Sequence, residues 1–308
     1  MVYDVVIIGA GPAGMSAGIY CCRKKMATLI LAKDIGGQLA ESWQIENYLG
    51  YNLISGSELV QKFKEHLDSF KCTEFKVGVE VTAIKKVNQN FSLATNTGEV
   101  YETKAIVIAS GKKSRQLDVE GEKEFHGKGV TYCATCDAPL FKDKIVAVVG
   151  GGDSALDAAY QLTKIAKKIY LLTKSAAFKK DIDQVLFSKV VEAKNVEILY
   201  NTQVTKIIGD KVVSALEYKD SAQGNINKID LQGIFLEIGA IPVVDFEGDL
   251  LKLNEKNEII IDEHNMTSVP GIFAAGDVSN IVEKQVIIAA GEGAKAAIGV
   301  ANYLSRLK

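Results

Sequence analysis

The hydrophobic and polar positions of this chain follow one pattern near its start and again near its middle. At the start, an apolar run at Val5–Ile8 is followed by a glycine-rich turn at Gly9–Gly14, a helical stretch through Cys22 and a second apolar run at Thr28–Ala32. A buried strand, a glycine turn, a helix and a returning parallel strand make up a β-α-β unit of the nucleotide-binding type.

The second copy of the pattern begins at Ile145–Val149. The turn Gly150–Ala155 follows, then a helix to about Thr163 and a strand at Lys168–Thr173. In such turns the first glycine permits the tight bend, the second lets the backbone approach a pyrophosphate, and the third small residue lets helix and strand pack closely. A turn that binds nothing is the alternative. The apolar strand before each turn and the helix after it favour two dinucleotide sites.

Further strands and a last helix are predicted outside these two units. Tyr101–Ser110 predicts a hairpin arm that continues into a buried strand. Alternation at Val212–Lys219 and at Ile229–Ile238 predicts antiparallel strands. Gly271–Asp277 predicts another buried strand that ends in Gly-Asp, followed by a helix from about Lys284 to Leu304.

Glycine- or proline-marked joints at Gly111–Lys113 and Gly239–Pro242 divide the chain. We therefore predict an α/β fold with two Rossmann-like (three-layer ββα) nucleotide-binding domains, the second inserted into the first. Residues 1–113 and 243–308 form the discontinuous domain, and residues 114–242 form the inserted one. Two thin joints would let the domains rotate as rigid bodies about a hinge.

Composition narrows the choice of partners. The 308 residues are 47% hydrophobic and 24% charged, as in a globular protein. A net charge of −2 offers no basic excess to neutralise phosphates, which argues against nucleic acid as the main partner. Apolar runs such as Val5–Ile8 are too short to span a bilayer, and no charged leader precedes an apolar stretch at the N-terminus. We expect a cytoplasmic protein with no membrane association.

The cysteines are five, an odd number that fits a secreted disulfide scaffold poorly. Cys21 and Cys22 fall on the first predicted helix, and Cys72 stands alone near the end of a segment. We predict that these three are small buried hydrophobic residues.

Cys133 and Cys136 differ because of their spacing and their neighbours. A spacer of two residues lets two thiols close a small ring, and a helix that starts at the first cysteine would favour its thiolate form. Asp137 follows directly, and in a partly buried site it would hold a proton near neutral pH and exchange it with a thiolate. Half of a zinc site is the alternative. No second cysteine pair or nearby histidine supplies the other ligands, so we predict no metal.

The chain as a whole resembles the low-molecular-weight thioredoxin reductases. The residues that carry the resemblance run from end to end: Gly9–Gly14, Gly36–Leu39, Glu46–Asn47, Cys133–Asp137, Gly150–Ala155, Gly271–Asp277, Gln285 and Ala289–Gly291. The second half also resembles the flavoprotein subunit of alkyl hydroperoxide reductase, as at Lys194–Val196 and Ile287–Ala294.

This resemblance implies FAD in the discontinuous domain, a nicotinamide nucleotide in the inserted domain, a homodimer and a redox-active disulfide on the nucleotide domain. It also implies that Cys136 faces the flavin, that Cys133 exchanges with the protein substrate and that Asp137 is the acid–base group. Asp277 would bond a ribityl hydroxyl, with a simple helix cap as the alternative. Helix amides after Gln285 would face the flavin O2 edge, where a positive dipole end stabilises the anionic reduced ring.

The residues expected to bind FAD are Gly9, Gly11, Pro12, Ala13, Gly14, Gly37, Gln38, Leu39, Asn47, Ala109, Ser110, Gly111, Gly276, Asp277, Lys284, Gln285 and Val286. Those expected to bind NADPH or NADH are Gly150, Gly152, Asp153, Ser154, Ala155, Thr173, Lys174 and Ser175. We expect Trp43, just before the Asn47 loop, to lie in the core.

The electron donor stays open at this point. NADPH-specific thioredoxin reductases carry a His-Arg-Arg run with a further Arg downstream, where this chain has Thr173-Lys174-Ser175 and then Lys179. The relatives that use NADH carry Glu in place of Thr173. With neither signature present, three alternatives stay open. The 2′-phosphate of NADPH is bound by Thr173, Lys174 and Ser175, less tightly than arginines would bind it, or NADH is accepted with little discrimination. In the third alternative the nucleotide site is vestigial and ferredoxin is the donor.

The predicted function is reduction of thioredoxin, or of a thioredoxin-like protein, through FAD and the Cys133–Cys136 dithiol with electrons from NADPH or NADH. One alternative is the same reduction driven by ferredoxin. Another is a flavin-binding redox sensor whose dithiol switches partner binding without turnover.

Overall fold

The computed structural model describes residues 1–42, 45–178, 182–221 and 223–307. Trp43 and Lys179, for which the sequence carried expectations, lie outside the described residues. The chain divides into two compact units. The first holds residues 1–42, 48–113 and 241–307, and the second holds residues 45–47 and 114–240.

The strands are β1 (Val2–Ala10), β2 (Thr28–Ile35), β3 (Thr73–Val77), β4 (Val81–Val87), β5 (Asn90–Thr95), β6 (Val100–Ile108), β7 (Lys112–Ser114), β8 (Val130–Thr131), β9 (Ile145–Val149), β10 (Lys168–Leu172), β11 (Val196–Leu199), β12 (Thr202–Gly209), β13 (Val213–Asp220), β14 (Ile226–Asp230), β15 (Gly233–Leu236), β16 (Ala240–Pro242) and β17 (Ile272–Ala274). The helices are α1 (Pro12–Arg23), α2 (Gly56–Ser69), α3 (Ala134–Asp137), α4 (Asp153–Thr163), α5 (Gln184–Glu192) and α6 (Val286–Arg306). Short 3-10 helices lie at Gly37–Glu41, Ala138–Phe141 and Gly276–Val278. Among the described residues, no helix has both the length and the apolar character needed to span a membrane.

The first unit is built on a sheet in the order β3-β2-β1-β6-β5-β4, with β17 also paired to β6. β1 runs parallel to β2 and β6, β2 runs parallel to β3, and β17 runs parallel to β6. The β4 and β5 arm is antiparallel. The carboxyl ends of the parallel strands therefore meet at one edge, where ligands bind in folds of this kind.

Alternate side chains of β1 belong to opposite layers of the first unit. Val5 and Ile7 pack with residues of α1 and α6, whereas the intervening side chains pack against the arm and the loops after residue 243. The two helices approach closely because their contact is made of small residues. A Cβ on Gly293 would lie 2.0 Å from the carbonyl oxygen of Ala13.

The second unit has three layers. Its central sheet is parallel throughout, in the order β11-β10-β9-β15-β8. Val146 and Val148 of β9 face a cluster with α4 and α5, and Ala147 and Val149 face the antiparallel sheet β12-β13-β14. The predicted α/β class with two nucleotide-binding-type sheets is confirmed.

One predicted strand is wrong. Ile229–Ile238 was expected to form a single antiparallel strand, but its first part belongs to β14 and its second to β15, in different sheets. Alternation stops because β15 is buried on both faces as an inner strand of the parallel sheet. At its first residue, Gly233, a Cβ would lie 2.2 Å from the ring of Phe141.

The prediction for the isolated cysteines also needs correction. Cys22, at the end of α1, forms a disulfide with Cys72, the residue before β3, with their Cα atoms 5.6 Å apart. Parallel pairing of β2 and β3 brings the two together, since Thr28 lies opposite Thr73. Cys21 is the free, buried thiol that was expected, and burial raises its pKa to about 12.

Replacing Cys72 with Ser should lower the free energy of unfolding by about 2–4 kcal/mol, because a cross-link of this span restricts the unfolded chain. Urea unfolding followed by circular dichroism without reductant measures the difference. In dithiothreitol, the unaltered protein should unfold at the same urea concentration as Cys72→Ser in the same reductant. The variant keeps Cys133 and Cys136, so its own response to reductant is the control for that pair. Equal unfolding midpoints without reductant would rule out a stabilising cross-link.

Candidate functional site

The predicted dithiol lies in the second unit, directly after β8. Cys133 and Cys136 form a disulfide with their Cα atoms 5.3 Å apart. Cys133 occupies the N-cap of α3, and its sulfur accepts a hydrogen bond from the backbone N–H of Cys136 at 3.2 Å. The spacer of two residues thus forms one helical turn that holds both sulfurs together.

Asp137 ends that turn and is buried. Its Oδ2 accepts a hydrogen bond from the hydroxyl of Thr131, and the same hydroxyl oxygen accepts the N–H of Cys133 at 3.2 Å. Its Oδ1 is buried and has no hydrogen-bond partner within the described part of the chain. Burial raises the pKa of Asp137, while the bond from Thr131 and the nearby His126 act in the opposite direction. The carboxyl therefore keeps its proton to a higher pH than an exposed aspartate.

A second carboxylate beside the dithiol was not anticipated. Oε1 of Glu237 accepts the N–H of Ala134, the residue after Cys133, at 3.2 Å. The pKa of Glu237 is raised to about 7, chiefly by burial, with the Ala134 N–H lowering it and Asp157 raising it. The only signal in the sequence was an acidic residue directly after the apolar run Gly233–Leu236.

The order of the parallel strands explains how these groups meet. Neighbouring strands β10, β9, β15 and β8 end at one edge of the sheet. Thr173 follows β10, Gly150 follows β9, Glu237 follows β15, and Cys133 lies just beyond β8. The dithiol and the second glycine turn are thus on the same edge, with Glu237 between them.

The glycines of this turn have different roles. A Cβ on Gly150 would lie 2.3 Å from the carbonyl oxygen of Glu237, so packing within the protein requires this glycine. Gly152 has nothing within 4 Å of its Cβ position and leaves a cradle that a side chain would fill. The first turn of α4 follows, with Asp153 and Ser154 exposed and Ala155 buried. This open backbone fits a pyrophosphate.

Thr173 is buried beneath the same turn. Its hydroxyl lies 2.6 Å from the position that a Cβ on Gly151 would take, and it accepts the N–H of Ser175 at 3.4 Å. Lys174 and Ser175 are exposed. The side chain that ends β10 thus supports the turn, and the positive charge beside it is a lysine.

The glycine turn of the first unit repeats these features. Gly9 has a φ of +104°, and a Cβ there would lie 2.4 Å from the carbonyl oxygen of Ala109. A Cβ on Gly14 would lie 2.0 Å from the carbonyl oxygen of Gly9. Gly11, by contrast, has its nearest neighbour 3.8 Å away, the carbonyl oxygen of Gly36. Space for a phosphate group is therefore left at the second glycine.

Loops from the neighbouring strands surround this turn. Pro12 and Ala13 begin α1, the 3-10 helix that contains Gly37, Gln38 and Leu39 follows β2, and Ala109, Ser110 and Gly111 follow β6. The side-chain amide of Gln38 donates to the carbonyl of Lys112 at 2.6 Å, and the hydroxyl of Ser110 donates to the carbonyl of Val243 at 2.7 Å. These bonds fix the loops around the carboxyl edge of the sheet.

Asp277 lies in the turn after β17, next to Gly276, whose φ is +75°. Burial raises the pKa of Asp277, with Lys284 and Lys112 acting in the opposite direction. Lys284 donates to the carbonyls of Ser279 at 2.6 Å and of Asp277 at 3.3 Å, so it holds this turn in place. A partly buried carboxyl at the carboxyl edge of a parallel sheet fits a hydroxylated ligand.

The remaining residues predicted to bind FAD lie in two separate segments, the start of α6 and the segment 45–47. Gln285 is the N-cap of α6 and Val286 is its first residue, so the helix begins two residues later than predicted. The backbone of Gln285 is extended, so the helical conformation begins only at the next residue. Asn47 is exposed, in the segment 45–47 that groups with the second unit. Within the described ranges, no group of three or more His, Cys, Asp or Glu residues could hold a metal ion.

Comparison with known proteins supports the redox interpretation. The alkyl hydroperoxide reductase F subunit of Staphylococcus aureus (strain MRSA252) is 39% identical over 304 residues, which are 99% of this chain and 59% of that protein. The corresponding protein of Escherichia coli (strain K12) is 41% identical over 310 residues, with the same coverage. The chain thus spans 59% of the length of these curated relatives. The similarity extends over nearly the whole chain, beyond the second half in which it was predicted.

A solved structure matches the fold. The crystal structure of thioredoxin reductase from Streptococcus pyogenes MGAS5005 superposes with a TM-score of 0.93 at 36% identity, covering 99% of both chains. The predicted resemblance to thioredoxin reductases is confirmed, and this relationship implies FAD and NADPH or NADH as cofactors. A family model described as pyridine nucleotide-disulphide oxidoreductase matches residues 3–294. The chain therefore belongs to the pyridine nucleotide-disulphide oxidoreductase family.

Proposed function

We propose that this protein is a flavoprotein disulfide reductase that reduces thioredoxin or a thioredoxin-like protein through FAD and the Cys133–Cys136 dithiol, with electrons from NADPH or NADH. The observation that carries the proposal is the Cys133–Cys136 disulfide, held beside the buried acid Asp137 on the same sheet edge as a glycine turn. The solved relatives named as thioredoxin reductases support the choice of substrate.

FAD would be held by the first unit. The open backbone at Gly11 would receive its pyrophosphate, and the partly buried carboxyl of Asp277 would bond a hydroxyl of its ribityl chain. When bound, FAD supplies two-electron chemistry between a nicotinamide and a disulfide. The contacts of Gln38, Ser110 and Lys284 within the protein would keep the surrounding loops in position.

The dithiol would act by exchange. The thiolate of Cys133 attacks one sulfur of the substrate disulfide, a mixed disulfide forms, and the other substrate sulfur leaves as a thiolate. Cys136 then attacks the sulfur of Cys133, which restores the Cys133–Cys136 disulfide and releases the second substrate sulfur. Two thiols of the enzyme are oxidised and one substrate disulfide becomes two thiols. Asp137 gives a proton to a departing thiolate.

The nicotinamide nucleotide would bind the second glycine turn, with its pyrophosphate at the open backbone of Gly152. The ribose end would meet Lys174 and Ser175. Lysine is a point charge without the paired donors of an arginine fork, so weak discrimination between NADPH and NADH is expected. This lack of arginines also motivates the second candidate, the same reductase driven by ferredoxin.

Anaerobic titration of the flavin-loaded protein tests the donor. Rapid bleaching of the flavin by NADPH or NADH, followed by reduction of added thioredoxin, is the expected result. Slow bleaching by both nucleotides, with rapid bleaching by reduced ferredoxin, would replace the donor but keep the reductase. Thioredoxin reduction that survives Cys136→Ser would overturn the route through the dithiol. Flavin that is reduced by a donor while no thioredoxin is reduced would overturn the reductase and favour a sensor. The expected homodimer is checked by light scattering.

Changing Gly11 to Ala should reduce the flavin content of the purified protein severalfold while the melting temperature of the flavin-free protein stays unchanged. The added methyl group meets no protein atom closer than 3.8 Å, so it fills only ligand space. Gly152→Ala is the matched control, which should keep the flavin and raise the Kd for the nicotinamide nucleotide. Full flavin content in Gly11→Ala would disprove this placement of the pyrophosphate.

Asp137→Asn should slow thioredoxin reduction roughly 100-fold or more, the usual contribution of a positioned general acid. The amide oxygen still accepts from Thr131 but holds no exchangeable acid proton. Because burial raises the pKa of Asp137, the active protonated form is lost as the pH rises through that pKa. The unaltered protein should therefore lose activity on this alkaline limb, and the variant should lack the limb. Asp143→Asn, an exposed change in the same unit, should behave as the unaltered protein.

A further inference from the structure

Glu237 is a partly buried carboxylate beside the dithiol for which the mechanism above has no use. It follows β15, which lies between β9 and β8 in the parallel sheet, so its position lies between the second glycine turn and the loop of Cys133. The close contact of its carbonyl oxygen with Gly150 fixes its backbone. The sheet therefore sets the backbone position of Glu237, from which its side chain extends.

Its side chain contacts the dithiol loop directly. Oε1 accepts the N–H of Ala134 at 3.2 Å, and Ala134 is bonded to Cys133. The sulfur of Cys133 in turn accepts the N–H of Cys136. The charge of Glu237 thus lies one peptide away from a reactive sulfur.

The groups around Glu237 add negative charge. On α4, Asp157 accepts from the amide of Gln161 at 2.7 Å, and the same amide reaches the hydroxyl of Thr135 in the dithiol loop at 3.4 Å. On α3, Asp137 lies beyond the two cysteines. The glycine turn after β9 contributes no charged group before Asp153, and Arg115 packs near Gly239. Within the described part of the chain, Glu237 makes no salt bridge.

We propose that Glu237 is a positioning residue that sets the reducing strength of the Cys133–Cys136 pair, because its ionised carboxylate anchors the loop through Ala134 and opposes negative charge on the sulfurs. The inference rests on the proposed function only in taking this pair as the redox centre. In oxidation the two thiols give two electrons and two protons to a substrate disulfide, which becomes two thiols, and Glu237 is not consumed.

The direction of the effect follows from electrostatics. A nearby anion disfavours a thiolate, and a reduced form that is less stabilised makes a stronger reductant. Burial raises the pKa of Glu237 to about 7, so the carboxyl is neutral below that pH and charged above it. The dithiol should therefore become more strongly reducing, beyond the ordinary proton dependence of thiols, as the pH rises through 7.

The test uses the flavin-loaded protein with Glu237→Gln, which removes the charge but keeps an oxygen for the Ala134 N–H. The protein is reduced with dithiothreitol, freed of reductant and alkylated with iodoacetamide across a pH series, and the peptide with Cys133 and Cys136 is followed by mass spectrometry. The midpoint of alkylation should fall by as much as about one pH unit. The rate should rise about twofold at pH 7, where Glu237 is half ionised, and about fivefold at pH 8, where it is mostly ionised. Glu192→Gln, an exposed change on α5, is the matched control and should leave both unchanged.

Equilibration with glutathione buffers gives a second readout. The variant should be half reduced at a lower ratio of thiol to disulfide than the unaltered protein, because its reduced form is more stable. Unchanged midpoint and ratio in Glu237→Gln would overturn the inference. Neither measurement needs an electron donor or thioredoxin, so failure of the proposed function would show in the turnover assays and leave this test intact.

If Glu237→Gln does not fold, the unaltered protein still decides. Linkage is reciprocal, so thiolate formation must in turn favour the protonated form of Glu237. Carbon-13 spectra of protein with labelled glutamate carboxyls should show one signal that titrates near pH 7 in the oxidised protein and at a higher pH in the reduced protein. Identical titration in both states would overturn the inference.

Discussion

A contact between backbones fixes both ligand edges of this protein. The first glycine of each turn lies against the carbonyl of the residue that follows the adjacent parallel strand: Gly9 against Ala109 in the first unit, and Gly150 against Glu237 in the second. At both places a Cβ would come within 2.4 Å or less of the carbonyl oxygen. The loop of the neighbouring strand is thereby drawn against the turn, and the backbone stays open at the second glycine of the motif in each unit.

The same contact decides which side chains reach the dithiol. Because the backbone of Glu237 is held against the glycine turn, its carboxylate extends to Ala134 on the adjacent loop. Asp137 reaches the same loop through a hydroxyl bond from Thr131. Burial raises the pKa of both acids, but their contacts differ. Oδ1 of Asp137 has no hydrogen-bond partner among the residues that the structure describes, whereas Glu237 accepts a peptide N–H next to Cys133. The two carboxyls around this disulfide can therefore have different roles, Asp137 as a proton donor and Glu237 as a charge that acts on the sulfurs.

Local patterns predicted the parts of the fold that depend on local chemistry. The glycine turns, the strand before each and the helix after each could be read from the chain, and so could the spacing of Cys133 and Cys136. The groups that were missed depend on distant pairing. Glu237 meets Ala134 across 103 residues, and Cys22 meets Cys72 across 50, in each case because parallel strands align their ends. Only the order and register of the strands contain that information.

The segment 229–238 shows a second limit of prediction from the sequence. An inner strand of a parallel sheet is buried on both faces and loses the alternation of apolar and polar residues that marks a half-buried strand.

Comparison of the two sheets shows that the disulfide and Asp277 follow strands in equivalent positions. The orders β3-β2-β1-β6-β17 and β11-β10-β9-β15-β8 correspond strand for strand around the glycine turn. In the first unit the outermost position is filled by β17, the strand that leads to Asp277, and in the second it is filled by β8, the strand that leads to Cys133. Equivalent sites in one architecture thus present a partly buried carboxyl in one unit and a disulfide in the other. In each unit one strand, β6 or β15, lies between the strand of the glycine turn and the outermost strand. The residue after it contacts the glycine turn: Ala109 after β6 and the charged Glu237 after β15. A charge at that position acts on whatever the outermost strand presents, which in the second unit is the sulfur pair.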